Sequence, residues 1–174
     1  ALPIWLVAAW PRRQKHDVRL LSDRELPVYS VLIPLRDAST TLHSLQAIGP
    51  EGDKRFQPGG RIKGCYFGIG KPKGVLIVCE GFATGASIHE ATGHAVACAM
   101  NAGNLLPVAK AARASWPAAD LVICADNDRS TAGNPGLTAA TAAAKATGTG
   151  LSVPPFADDE PGTDWNDWAA LRRK

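Results

Sequence analysis

From Gly74 to the end of the chain, apolar runs alternate regularly with segments of helical spacing. "VLIVCEG" is a continuous apolar run, "TGASIHEATG" has helical spacing closed by Gly93, and "HAVACAM" is apolar again. "GNLLPVAKAARASW" then predicts a helix, "DLVICADND" a third strand, "GLTAATAAAKATG" an alanine-rich helix and "GLSVPPF" a short fourth strand. Runs without two-residue alternation are covered on both faces. The pattern therefore predicts an α/β fold with a parallel sheet of about four strands, joined by right-handed crossovers and flanked by helices. "TDWNDWAALRRK" predicts a closing helix with Thr163 or Asp164 as its N-cap.

The first 73 residues follow a different rhythm. "LPVYSVLIPLRDA", "TTLHSLQAIG" and "GDKRFQPGG" are β-rich runs broken by Asp, Pro and Gly, which predict a small antiparallel meander. Residues 1–24 carry no decisive pattern. The expected organisation is a basic, β-rich subdomain over 1–73 and an α/β domain over 74–174. A chain of 174 residues with 45% hydrophobic and 20% charged positions is ordinary for a globular protein of that size.

Charge sharpens the division. Residues 1–73 hold twelve Lys and Arg against six Asp and Glu, whereas residues 74–174 hold seven against ten. A basic half suits a polyanion and clustered carboxylates suit a divalent cation, although a solvated charged surface explains either equally well. Cys65, Cys79, Cys98 and Cys124 form no C-x-x-C pair, so neither a zinc ribbon nor a disulfide framework is expected. Three of them lie within apolar runs, where reduced cysteine acts as a small core residue, and a cytoplasmic location follows as an expectation. The opening "ALPIWLVAAWP" is shorter than the roughly 20 residues of a membrane span and lacks a basic leader, so no membrane association is expected. The absence of an initial Met suggests a fragment of something longer.

In an open α/β sheet, ligands bind beyond the carboxyl ends of the strands. Those ends here carry Glu80, then Asn101, then Asp126 and Asp128. Taken alone, a D-x-D turn is commonly a solvated loop or a helix cap. Its joint placement with Glu80 is more informative, because it gathers negative charge that only a cation or a proton relieves. Asp164 and Asp167 are three apart and share a helix face; Asp164 alone is also explained by the helix dipole. Trp165 and Trp168 are expected to pin this helix to the body. Thr84 and Ser87 open a helix, where hydroxyls commonly cap amides. His89 and His94 lack zinc spacing. "GIGKPKG" resembles a phosphate loop, yet it precedes a strand where such a loop joins strand to helix.

"LIVCEGFATGASIHEATG", "AMNAGNLLPVAKAARASWP", "LVICADNDRSTAGNPG" and "GTDWNDW" together resemble the toprim domain, the fold shared by bacterial-type primases, topoisomerases and some nucleases. The resemblance covers residues 74–168. It implies that Glu80 is the general acid/base or an additional metal ligand, that Asp126 and Asp128 bind magnesium or manganese, and that Asp164 and Asp167 form the third acidic motif and assist in holding the metal. Phe82 stands where the family usually has another aromatic residue after the motif glycine, Gly81. "VLIPLRDASTTLHSLQAI" and "GDKRFQPGGRIKGCYFGIG" are similar to the segment preceding toprim in bacterial and phage primases, most closely those of conjugative plasmids, phages and integrated elements. That likeness implies that Arg36, Lys54, Arg55, Arg61 and Lys63 face nucleotide or template, with Gly81 beside them.

The implied function is a DNA primase core that joins ribonucleoside triphosphates on single-stranded DNA, with Mg2+ or Mn2+ and no zinc in this chain. Its implied partners are a helicase or zinc-binding module in the parent protein or replisome. A toprim nuclease and a noncatalytic DNA-binding module remain alternatives. A D-x-D phosphatase does not fit, because it needs an aspartate where this chain has Glu80.

Overall fold

The computed structural model describes residues 31–173. The ambiguous segment 1–24 and the apolar opening lie outside the described residues. Among the described residues, eight strands and four helices run in the order β1 (Val31–Arg36), β2 (Leu42–Ile48), β3 (Lys54–Phe56), β4 (Phe67–Ile69), β5 (Val75–Cys79), α1 (Phe82–Thr92), β6 (Ala95–Cys98), α2 (Leu105–Ser115), β7 (Asp120–Cys124), α3 (Pro135–Thr147), β8 (Gly150–Ser152) and α4 (Trp165–Arg172). A short 3-10 turn, Ala102–Asn104, leads into α2.

They form two sheets. β1-β2-β3 is the expected antiparallel meander; the second sheet has the order β4-β6-β5-β7-β8. Its last four strands are parallel, with Ile77 beside both Val96 and Val122. β4 pairs antiparallel with β6, adding an edge strand that the apolar pattern did not reveal. This strand lies N-terminal to position 73, so hydrogen bonding crosses the expected subdomain boundary. Three residues with only two half-buried side chains are too short to show a period.

Alternation along the central strands divides the core. Leu76, Val78, Ala97, Leu121 and Ile123 face α2 and α3, where Val108, Ala109, Ala140 and Ala143 meet them. Ile77, Cys79, Val96, Cys98 and Cys124 face the other way, against Phe82 and Ile88 of α1 and Ile33 and Leu35 of the meander. Both faces of the sheet are covered, which is why its strands read as unbroken apolar runs. Small residues set the spacing: a Cβ on Gly85 of α1 would collide with Cys98 Sγ. Each of the four cysteines is buried and unpaired.

The register of the meander determines what its side chains face. Opposed residues of an antiparallel pair share a face, so Leu35 and Ser44, Ile33 and Gln46, and Ile48 and Lys54 lie together. Because Ile33 and Leu35 are packed in the sheet's core, that whole face, Lys54 included, is turned toward the α/β body. Arg55 alternates to the opposite side and meets Asp53 at 3.3 Å. Among the described residues, no helix is long and apolar enough to cross a membrane.

Candidate functional site

Strand order reverses at β5, with β6 added on one side and β7 on the other. Glu80 follows β5 directly, and Asp126 follows β7 after Ala125. Asp128 lies in the loop leading to α3, and Asp164 opens α4. Four carboxylates from three separate stretches of the chain thus gather at one rim.

Their mutual influence shows in the pKa values. Asp126 is pushed from 3.8 to about 8, first by burial and then by the charges of Glu80, Asp164 and Asp128; Lys54 opposes the shift. Glu80 is raised by burial and by Asp128, against the Ala102 amide and Lys54. Repulsion and desolvation act in the same direction at both groups. Lys54 is felt by both, as expected of the inward face of β3.

Local chemistry fixes each position. Asn134 adopts the left-handed conformation with φ 42° and caps α3, which has Pro135 in its first turn. Its Oδ1 accepts from the Asp128 amide at 2.8 Å and its Nδ2 donates to Asn127 Oδ1 at 2.8 Å, holding the D-x-D loop. The Gly136 amide donates to Asp128 Oδ2 at 3.0 Å, and a Cβ there would lie 2.8 Å from that oxygen. Glycine is required for this close approach.

Asp164 is the N-cap of α4: its Oδ1 accepts from the Asp167 amide at 2.8 Å. Its Oδ2 accepts from the buried Thr84 hydroxyl at 2.8 Å, and Ser87 donates to Asn166 at 2.8 Å. The two hydroxyls therefore tie α1 to α4. The expectation that they cap α1 is corrected, since that helix starts at Gly81 with no side-chain cap. Asp167 Oδ2 turns back to the Thr163 amide at 3.0 Å. Trp165 packs against the core and meets Trp168 edge-on at 5.7 Å, while Arg172 lies over the Trp168 ring.

Among the described residues, no three His, Cys, Asp or Glu side chains are arranged as ligands of a single ion. The donor set nevertheless fits a hard divalent cation. It consists of carboxylate oxygens, and Asp126 Oδ1 is buried with no hydrogen-bond partner among the described residues.

The basic residues separate. Lys54 faces the rim, and Arg55 does not. Arg61 donates from Nη2 to Asp37 Oδ2 at 2.9 Å and lies 2.6 Å from His43 Nε2. Arg36 donates to the Thr40 carbonyl at 3.0 Å. Lys63 lies on the turn before β4, exposed.

Two groups at the site escaped the sequence reading. Asn104, 3% exposed, accepts from the Gly64 amide and donates to the Cys65 and Ala99 carbonyls, each at 2.8 Å; it clamps the segment before β4 to the rim. Asp37 gathers Ser39, Thr41, His43 and Arg61 around one carboxylate. The asparagine in "AGNL" and the aspartate in "PLRD" were visible, but their partners lie up to 40 residues away.

Residues 75–173 match the family described as the toprim domain. Two relatives, both named DNA primase TraC from Escherichia coli, are 40% identical over 137 residues and 36% identical over 150. These alignments cover 74% and 81% of this chain but only 13% and 10% of the relatives' lengths. Among solved structures, the primase fragment of the bacteriophage T7 primase-helicase protein superposes with a TM-score of 0.59 at 14% identity, over 81% of this chain and 58% of that one. The DnaG catalytic core superposes with a TM-score of 0.57 at 16% identity, over 83% and 49%. The structural likenesses agree with the α/β fold. The chain belongs to the toprim domain family.

Proposed function

We propose that this chain is the catalytic core of a DNA primase, joining ribonucleoside triphosphates into an RNA primer on a single-stranded DNA template. The observation that carries this reading is the rim itself: Glu80, Asp126, Asp128 and Asp164 converge where the order of strands reverses, with one oxygen of Asp126 buried and unpartnered among the described residues. The similarity to the two TraC primases supports the choice of reaction.

Asp126 and Asp128 would hold Mg2+ or Mn2+, with Asp164 assisting and Asp167 as a further acidic group. When bound, such a cation lowers the pKa of an attacking hydroxyl and neutralises charge on the triphosphate. Glu80, whose pKa is raised by burial and by Asp128, is suited to take a proton from the 3′-hydroxyl at the start of attack, or to serve as an additional metal ligand. Lys54 supplies positive charge on the side of the rim facing the meander. Lys63, Arg36, Arg61 and Arg55 would meet template or nucleotide phosphates, giving affinity that declines with salt, and Gly81 leaves room beside Glu80. Arg61 would do so from its Asp37 pairing, and Arg55, on the outer face of the meander, would meet template and not nucleotide.

Template choice and helicase coupling are assigned to other parts of a longer protein or replisome, including a zinc-binding module. The basic meander and the α/β domain are proposed to act as one unit in the cytoplasm.

The test is incubation with single-stranded DNA, labelled ribonucleotides and Mg2+ or Mn2+. New oligonucleotides are expected. Shortened template would indicate a nuclease instead, and a mobility shift alone would indicate a binding module.

A further inference from the structure

Two donors hold the two oxygens of Asp164. The Asp167 amide donates to Oδ1 at 2.8 Å, as in any N-cap, and the Thr84 hydroxyl donates to Oδ2 at 2.8 Å from 80 residues earlier in the chain. Thr84 is 1% exposed and lies near the start of α1, which begins two residues after Glu80. The torsion at the end of an aspartate side chain is soft, so a carboxylate anchored by one oxygen swings about that bond. An anchor at each oxygen fixes its plane.

The direction of the Thr84 hydroxyl is unlike that of other threonines in these helices. Threonine within a helix commonly donates to the carbonyl four residues back, and Thr92, Thr141 and Thr147 all do so, each at 2.7 Å. The carbonyl four residues before Thr84 belongs to Glu80, and it accepts from the Met100 amide at 2.7 Å. The Thr84 hydroxyl turns to Asp164. Docking of α1 on α4 is served as well by Ser87, which donates to Asn166 at 2.8 Å.

Asp164 is half-buried, and its charge acts on both Glu80 and Asp126. An ionised carboxylate has about four lone-pair sites, so two donors leave it capacity for a cation. Groups that hydrogen-bond a metal-binding side chain orient it and tune the affinity of the site.

We infer that Thr84 is a positioning residue for the acidic rim: its hydroxyl fixes the Asp164 carboxylate in the orientation in which the remaining lone pairs serve the divalent cation held by Asp126 and Asp128. This role rests on the reading of the rim as the metal site of a polymerase. One buried bond then couples the helix that follows Glu80 to the third acidic stretch.

Mn2+ binding, followed by the electron paramagnetic resonance of the free ion, tests this role on the metal-free chain. Thr84→Val keeps the shape of the side chain and removes the donor; its Mn2+ affinity is expected to fall about tenfold, in the range lost when a partner of a metal ligand is removed. Thr84→Ser keeps the donor and should stay within about twofold of wild type. Ser87→Ala removes a bond between the same two helices, and should lower the thermal midpoint while Mn2+ affinity stays within about twofold. Unchanged affinity in Thr84→Val overturns the inference. So does an equal loss in Ser87→Ala, which would assign the effect to helix docking, or in Thr84→Ser, which would assign it to packing. Wild-type protein that binds no Mn2+ overturns it too. Should Thr84→Val fail to fold, Thr84→Ala is read by the same criteria. Primer synthesis is scored separately: Thr84-dependent Mn2+ binding without synthesis sinks the polymerase reading, and synthesis with Thr84-independent binding sinks only the positioning role.

Discussion

Asp37 in the meander and Asp126 at the rim of the large sheet are the same side chain driven in opposite directions. Asp37 is exposed enough to stay hydrated and receives bonds from the Ser39 hydroxyl, His43 and the Thr41 and Ser39 amides, which hold its pKa well below the usual range. Asp126 is buried beside three other carboxylates, and its pKa rises to about 8. Charge is satisfied locally in the antiparallel region, whereas the parallel region concentrates charge of one sign and leaves it unpaired. The second arrangement costs stability and is retained where a ligand resolves it.

The largest expected effect is on synthesis. Asp126→Asn should lower primer formation by roughly 10²- to 10³-fold, in the range seen when a preorganised electrostatic contact is removed. Its thermal midpoint should hold or rise, because a neutral amide replaces a carboxyl whose ionised form burial and the neighbouring carboxylates oppose. Asp37→Asn should do the reverse, lowering the midpoint while synthesis falls less. A destabilised Asp126→Asn would break the comparison.

Next, Leu35→Ala should cost about 2–5 kcal/mol by denaturant titration, since Leu35 is fully buried in the core shared with Ile77 and Cys79. A single transition is expected in wild type and variant. A separate early transition in the variant would show that the meander unfolds by itself.

Third is the response to pH. Asp126 titrates at about 8 in the folded chain against 3.8 ordinarily, so the folded state holds the extra proton between those values. Metal-free protein should therefore lose stability as pH rises from about 4 to 8, and should regain it when Mg2+ or Mn2+ is added. Asp126→Asn should flatten the curve; an equally steep melting profile in that variant would assign the dependence to other groups. The Asp37 contribution has the opposite sign, fading as pH falls below its ordinary value.

The smallest effect separates two adjacent residues. Lys54→Ala should weaken nucleotide binding several-fold, measured by calorimetry, because Lys54 faces the acidic rim. Arg55→Ala should change it by less than about twofold, as expected of an exposed ion pair.

Much of this was legible in the chain. The central strands and the four helices are announced by unbroken apolar runs, Gly93 and Gly148 as left-handed caps, and Asp164 as an N-cap. β4 was not legible, because three residues with one exposed glycine show no period. The acidic residues could be picked out because they sit at strand ends. The division between Lys54 and Arg55 could not, since it depends on the register of β2 with β3. Thr84 looked like a cap because its partner, Asp164, is 80 residues away.

By itself the sequence determined the alternation of strand and helix, the parallel sheet and the carboxylates that end its strands, because backbone period and burial are local properties of the chain. Only the tertiary structure decided that four carboxylates share one rim, that Asp126 holds its proton to a higher pH than an ordinary aspartate, and that the inner face of the meander carries Lys54. These depend on electrostatic and packing contacts between segments far apart in sequence, and no local pattern encodes a distance between them.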